Sequence, residues 1–212
     1  MTDSPKDIYT VAPISSKDAN AMTIESHYLH RRAQSMFCFG LFSGEEMLGV
    51  VIWGKPASPW PCRGICGPEE ASSVIELTRL WISDTSVKNA ESFLIASSIR
   101  MLPIEYDILL SYAEIGAGHV GTVYQATNWL FTGMSDRHVE WWLDGLPPSH
   151  SRHAFDSVGG VKNAKLVYGE RMTRHERPRK NRYVMFRGSK KRRKELASKL
   201  RYKIMPYPKA TQ

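Results

Sequence analysis

Residues 111–133 read SYAEIGAGHVGTVYQATNWLFTG, and the order of elements here decides between the fold classes that the rest of the chain leaves open. The run leading into it, DILLSYAE (107–114), is short and apolar, as a buried strand is. Gly116, Gly118 and Gly121 then supply a turn, HVGTVYQAT (119–127) a helix and NWLFTG (128–133) another strand. Gly116 to Gly121 is a literal G-x-G-x-x-G, the spacing that brings backbone close to a pyrophosphate at a helix N-terminus. A dinucleotide fold places that loop within repeating strand and helix units. Here at least four strands come first and no such repetition follows, so the pattern favours a glycine-rich active-site turn in a mixed α/β domain.

Upstream, DIYTVAPI (7–14) reads as a strand and SSKDANAMTIESHYLH (15–30) as a helix with Ser15 or Ser16 at its N-cap. MFCFGLFS (36–43) and EMLGVVIWG (46–54) flank Ser43-Gly44-Glu45 and make a hairpin. KPASPWPCRGICGPEE (55–70), rich in proline and glycine, predicts an irregular loop. VIELTRLWIS (74–83) is a strand whose apolar run is interrupted by Glu76, Thr78 and Arg79, and VKNAESFLIASSIRMLP (87–103) is an amphipathic helix stopped by Pro103. Downstream, RHVEWWLDG (137–145) predicts a strand, PPSHSRHAFDSVGG (147–160) a loop, NRYVMFRG (181–188) a strand and SKKRRKELASKLRY (189–202) a basic helix.

The 212 residues divide sharply by charge. Residues 1–150 hold 10 Lys+Arg against 17 Asp+Glu, a net −7, whereas residues 151–212 hold 19 against 4, a net +15. We read 1–150 as a catalytic domain and 151–212 as a basic extension packed on it or continuous with it. Such a polycation suits a polyanion, because each phosphate neutralised releases a condensed counterion. Arg182 and the run Lys190, Lys191, Arg192, Arg193 and Lys194 are the expected nucleic-acid contacts, and the interleaved Tyr183, Phe186, Tyr202 and Tyr207 suit stacking on bases. No apolar run reaches the roughly 18 residues of a membrane span. The start, MTDSPKDIYT, is too polar and acidic for a signal peptide, and three cysteines suit free thiols in a reducing compartment, so a cytoplasmic location is expected.

Several constellations carry chemistry. His27 and His30, three residues apart, are close enough to share a metal ion or a substrate. Glu25, Glu114 or His119 would complete a two-histidine, one-carboxylate set of the non-haem iron type; the alternative is hydrogen-bonded or surface imidazoles. Cys62 and Cys66 lack the second pair that zinc needs. Ser111, Tyr112 and Glu114 end an apolar strand, where open sheets bind ligands. Tyr112 or Tyr124 would protonate a leaving thiolate or alcohol, and Glu114 would act as general base. Lys88, Asn89 and Ala90 open a helix and offer backbone N–H groups and a charge to a phosphate-bearing cofactor.

Three blocks, HYLHRR (27–32), ELTRLWISD (76–84) and SYAEIGAGHVGTVYQATNWLFTG (111–133), together with the tail NRYVMFRGSKKRRKELASKLRYKIMPYPK (181–209), resemble the phage Mom family, which modifies adenines in phage DNA. The order of elements also resembles the GNAT acyltransferase fold, a mixed central sheet flanked by helices. The resemblance implies a transferase that places a carbamoylmethyl (acetamido) group on the exocyclic amine of adenine and protects DNA from host restriction. It carries over His27, Tyr28, Arg79, Ser111, Tyr112, His119, Tyr124 and Asn128, with Glu114 standing where the family usually has Asp. Arg79 joins Lys88, Asn89 and Ala90 as expected cofactor contacts. The product bonds nitrogen to a methylene and keeps a terminal amide, which a thioester alone does not explain. The implied donors are a coenzyme A thioester handled with iron, or a glycine-derived group such as glycine carried on tRNA; the partners are double-stranded DNA and, with that donor, tRNA. The adenine must leave the stack to be reached, which makes Trp60, Trp81 or Trp129 stacking candidates. The rival readings are an acetyl-CoA-dependent N-acetyltransferase of a protein or small molecule, and a non-catalytic nucleic-acid-binding protein.

Overall fold

The computed structural model describes residues 4–146 and 154–209. Its axis is β5 (Ile108–Glu114), which pairs in parallel with β4 (Val74–Ile82) on one side and antiparallel with β9 (Lys180–Phe186) on the other. Outward from β4 lie β3 (Glu46–Gly54), β2 (Phe37–Ser43) and β1 (Thr10–Pro13), and outward from β9 lies β6 (Leu130–Met134). The resulting seven-stranded order is β1-β2-β3-β4-β5-β9-β6. The strand at 180–186, from beyond residue 150, is therefore an inner strand of this sheet.

Seven helices accompany the strands among the described residues: α1 (Pro5–Ile8), α2 (Ser16–Ser26), α3 (Pro59–Cys66), α4 (Ala90–Met101), α5 (Thr122–Ala126), α6 (Val161–Tyr168) and α7 (Lys190–Lys199). α4 and α5 cover one face of the sheet, packing Leu94, Ile95 and Tyr124 with Val51, Trp53, Leu77 and Leu109 in the main core. The opposite face carries two separate apolar patches. α2 sits over Cys38, Val50 and Ile52, while α3 and α7 bring Cys62, Ile65 and Leu196 onto Ile108, Leu110 and Val184. Between those patches the strands carry polar side chains.

Two irregularities of β4 shape that polar strip. β4 pairs with β5 only from Val74/Ile108 to Leu77/Ser111; further on, β4 stays with β3 and β5 with β9, so the parallel strands part. β4 also bulges, with Trp53 opposite Leu77 but Ile52 opposite Arg79, leaving Thr78 as the extra residue. Alternation alone would put Glu76 and Arg79 on opposite faces. The inserted Thr78, whose hydroxyl donates to the Ile52 carbonyl at 3.1 Å, returns Arg79 to the face of Glu76 and away from the main core.

Several expectations need correction. The segment 7–14 is not one strand: Pro5 presets the first turn of α1, and β1 begins at Thr10. The proline-rich segment 55–70 holds α3 and a 3-10 turn at Pro68–Ser73, because Pro59 lies at the start of α3, where a missing N–H costs nothing, and Ser58 caps it. The second helix stops at Ser26; His27 is its extended C-cap and His30 has φ 42°, so the two imidazoles do not share a helix face. α6 and β8 (Met172–Arg177) are elements the sequence reading does not include, β8 because its run is mostly polar; β8 pairs with β7 (His138–Leu143) in a separate two-stranded sheet, where Met172 packs with Ala164 of α6 and with Phe155. The loop expected at 147–160 falls outside the described residues as far as 153. No helix of the described residues is long and apolar enough to cross a membrane.

The basic helix is held by buried charge. Arg192 donates to Glu70 at 2.5 Å and to Asp107 at 2.7 Å, and Lys199 also reaches Glu70, at 2.5 Å. Hydrogen bonds from Arg192 and Lys199 hold the Glu70 carboxyl, only 7% exposed, down at about 2. A carboxyl held below its unfolded value near 4.3 stabilises the fold above that pH and loses the contribution as pH falls toward 2, on the order of 2–3 kcal/mol. Glu70→Gln should therefore melt well below the wild type at pH 7, with the gap closing toward pH 2. A gap independent of pH would remove Glu70 from that role.

Candidate active site

Where β4 and β5 part, a cleft of about 880 Å³ opens. Each wall follows from the local sequence. From the end of α2 come His27 and Tyr28; from β4 come Glu76 and Arg79; from β5, Tyr112 and Glu114; from the glycine turn, His119; from α5, Tyr124; from β9, Lys180. Gly118 and Gly121 have φ of 76° and 88°, so the turn needs glycine there. A Cβ on Gly121 would collide with the Tyr183 ring, whose hydroxyl donates to the Val120 carbonyl at 2.5 Å and holds the turn to β9.

The motif blocks thus converge from positions far apart in the chain. Tyr28 stacks on His27 with centroids 4.3 Å apart, lies 5.4 Å from His119 at a tilt, and directs its hydroxyl at Glu114 Oε2, 3.5 Å away. Lys88 and Asn89 line the end of the cleft on the α4 side, where no side chain caps the first turn of the helix. Ala90 does not serve there: it is buried in the main core, outside the lining, and its N–H donates to the Val87 carbonyl, so the N–H groups of Glu91 and Ser92 with Lys88 are what fit a phosphate-bearing group. Ser111 and Asn128 stand outside the lining. The Ser111 hydroxyl donates to the Leu77 carbonyl and is the polar neighbour of the Tyr124 phenol, whereas Asn128, with φ 60°, shapes the step from α5 to β6.

Electrostatics separate the titratable groups. Burial pushes Glu76 up to about 7, against the lowering influence of Lys180 and Arg79. Burial also raises Glu114, but the 2.9 Å hydrogen bond and charge of Lys180, with Arg177 and Arg31 behind it, outweigh that and hold Glu114 below the usual carboxylate range. Burial and the charge of Arg79 bring His27 down to about 4, so it is neutral at pH 7; its Nδ1 accepts the Leu29 N–H, which leaves the proton on Nε2. Burial lifts Tyr124 to about 12, a phenol that keeps its proton until a strong base forms beside it. Glu76 is the site residue that the sequence reading passed over. Its signal was present as a carboxylate inside the apolar run of β4, between Ile75 and Leu77, which are both buried.

Some expected contacts are not available as read. Arg182 is buried, donates to Thr132 and lies over the Tyr202 ring, 3.4 Å from its centroid, so it is an internal cation. Arg192 is taken up by Glu70 and Asp107. Lys190, Lys191, Arg193 and Lys194 are exposed. Tyr183 and Trp129 are wholly buried, Trp129 packing on Trp53 and Tyr124, and neither can stack on a base; Trp60 is 72% exposed and Trp81 lines the cleft. His30 turns Nδ1 to the Ile24 carbonyl, and among the described residues no three His, Cys, Asp or Glu side chains are grouped to hold a metal, so the residues do not fit an iron centre. All three cysteines are buried free thiols.

The environment of Glu76 carries a stability signature. Its folded value lies above the unfolded value near 4.3, so its contribution is complete below that pH and is lost as pH rises through 7. Glu76→Gln should therefore melt above the wild type at pH 8 and level with it near pH 4. Coincident melting at both would mean that solvent keeps the carboxylate at its ordinary value.

The Mom protein family profile matches residues 8–209. The methylcarbamoylase mom of Escherichia phage Mu is 29% identical over 199 residues, covering 92% of this chain and 78% of that protein. Among solved structures, an N-acetyltransferase from Staphylococcus aureus Mu50 gives a TM-score of 0.46 at 12% identity, over 84% of this chain and 98% of that one. A Bacillus subtilis acetyltransferase in complex with CoA gives 0.45 at 9% identity, over 85% and 99%. With a profile that spans nearly the whole chain, and with its motif blocks meeting in one cleft, the chain belongs to the Mom protein family.

Proposed function

We propose that the protein is a phage DNA-modification transferase that places a carbamoylmethyl group on the exocyclic amine of adenine and so shields DNA from restriction. The observation that carries this reading is the convergence of HYLHRR, ELTRLWISD and SYAE, joined by Tyr124, on one cleft that runs through the parting of β4 and β5. The relative named a methylcarbamoylase shares the family and most of the chain length.

The cleft divides the work by sheet face. On the α4 side, Lys88 and the open first turn suit donor phosphates, and a donor of the coenzyme A type is what this end fits. When bound, that donor would have to carry the carbamoylmethyl group ready-made, so that the bond from its methylene to the carrier breaks as the nitrogen–methylene bond forms and the carrier departs. On the other side the amine meets Glu76. As the nitrogen–carbon bond forms, the nitrogen sheds a proton, and a carboxylate with affinity near 7 is matched to take it at neutral pH. Glu114, tied to Lys180, is the weaker base and supplies fixed negative charge. Tyr124 holds a proton for the departing group. No step here runs through iron or glycyl-tRNA. The exposed cations of α7, on the same sheet face as Glu76, would lie against the DNA backbone.

Nucleoside mass spectrometry of DNA from a bacterial host expressing the protein tests the proposal. We expect a deoxyadenosine heavier by a carbamoylmethyl group, lost in Tyr124→Phe and Glu76→Gln; unmodified DNA in a host that makes folded protein counts against it. The wild-type rate should rise with pH through about 7, as Glu76 deprotonates. Replacing Lys190, Lys191, Arg193 and Lys194 by neutral residues while keeping Arg192 should weaken duplex binding and flatten its salt dependence without lowering the melting temperature. An unchanged salt slope would make those lysines and arginines a solvated face.

A further inference from the structure

Among the described residues Arg79 is a guanidinium with no ion-pair partner. The bulge at Thr78 turns it onto the polar face of the sheet, where it lines the cleft between Tyr28, Glu76 and Glu114. Of the five N–H donors a guanidinium carries, one is used, by Nη1 on the Thr78 carbonyl at 2.6 Å. Nε is buried with no partner among the described residues, and no carboxylate there lies within ion-pair distance. The neighbouring carboxylates are otherwise placed: Glu114 is bonded to Lys180, and Glu76 lies three residues back along β4. A second arginine, the exposed Arg31, lies close enough to disfavour the charge on Arg79, which burial disfavours most. A half-buried cation costs free energy unless it is paired. A half-buried guanidinium that lines the cleft, with its Nε unpartnered among the described residues and with Glu76 and Glu114 acting on it only beyond ion-pair distance, is arranged for an anion that arrives with a ligand.

We infer that Arg79, with Arg31 behind it, forms a phosphate-binding subsite on the acceptor side of the cleft and takes the phosphodiester next to the adenine being modified. The inference rests on the function proposed above. Two sources of phosphate are at hand, the nucleic-acid backbone and the donor, and position favours the backbone. Lys88 and the start of α4 lie on the face of the main core, whereas Arg79 shares the opposite face with Glu76. The rise of extended chain puts the backbones of Glu76 and Arg79 at most about 10 Å apart, less the shortening at the Thr78 bulge, a span of the same order as one nucleotide. A nucleotide with its amine at Glu76 therefore brings its phosphate to Arg79. Arg79 is then a positioning and recognition residue of the acceptor, and not a cofactor contact.

The test uses the full chain and a labelled duplex with a single adenine in one strand, read by fluorescence anisotropy across a salt series. Arg79→Met should weaken binding about tenfold and reduce the salt slope by about 1. Arg79→Lys, which keeps the charge and loses the fork, should lie between. In a second arm, one linkage beside the adenine is made a neutral methylphosphonate. The wild type should lose affinity for that duplex, and Arg79→Met should bind it as it binds the unmodified one. In a third arm, calorimetric affinity for coenzyme A should be the same in Arg79→Met and the wild type. A loss of coenzyme A affinity with unchanged duplex binding and salt slope would assign the phosphate to the donor and overturn the inference, as would no change in any arm. Should Arg79→Met fail to fold, the neutral-linkage comparison between wild type and Arg79→Lys decides. A wild type that neither binds duplex nor modifies host DNA would defeat the proposed function itself, whereas a wild type that does both with Arg79 indifferent defeats only the subsite.

Discussion

The parting of β4 from β5 after Leu77 and Ser111 is the constraint on which the site depends. A continuous parallel pair would seal the sheet with ladder hydrogen bonds. By following β3 and β9 instead, the strands open a passage between the face covered by α4 and the face that carries Glu76 and Arg79. A donor approaching from one side and an acceptor from the other can then meet without sharing an entrance. The other edge of each strand keeps its ladder, Tyr112, Ala113 and Glu114 with Arg182, Asn181 and Lys180, and Arg79 and Leu80 with Ile52 and Val51, so the parted strands stay anchored in the sheet while their facing edges are left to solvent or a ligand.

The C-terminal third shows how misleading net charge is when read without a fold. Its excess of cations looked uniform along the sequence, yet the cations serve at least three ends. The buried Arg182, the half-buried Arg192 and the exposed Lys199 are fasteners, joined to Thr132, Glu70 and Asp107, and they attach the tail to the sheet. Lys180 sets the charge of Glu114 inside the cleft. Lys190, Lys191, Arg193 and Lys194 are left facing solvent. Arg192 differs from its neighbours in sequence only by helical phase. Leu196 marks the buried side of α7, and the residue one turn before it faces the same way.

The parts of the fold legible in the sequence are those with strong local periodicity. The hairpin of β2 and β3, the helix at 90–101 and the strand–turn–helix around 108–126 follow from apolar spacing and glycine placement, and they carry most of the main core. The parts that escaped depend on context. α3 is hidden because prolines read as breakers unless they fall in a first turn, where Ser58 and Pro59 put them. β8 looks like a polar tail because one face of its two-stranded sheet is exposed. In the site, motif blocks named most lining residues, since chemistry tied them to one another. Glu76 escaped because a carboxylate in an apolar strand has two readings, an edge residue facing water or a buried acid, and only the tertiary placement of α2 and α3 on either side selects the second.

The two carboxylates of the cleft differ by one partner. Glu114 has a lysine at hydrogen-bond distance and is held ionised; Glu76 has its cations at longer range and is held near the point of balance. Environment therefore assigns the roles that residue type leaves open. Arg79 ties this division to the acceptor. Its charge is among those that hold Glu76 down. A phosphate seated on Arg79 cancels that influence, so Glu76 gains proton affinity at the moment an acceptor nucleotide arrives. Before that moment the guanidinium helps hold the carboxylate near its point of balance; afterwards the same carboxylate has the higher proton affinity. The bulge at Thr78, one extra residue in one strand, is what places both groups on the same face and makes that coupling available.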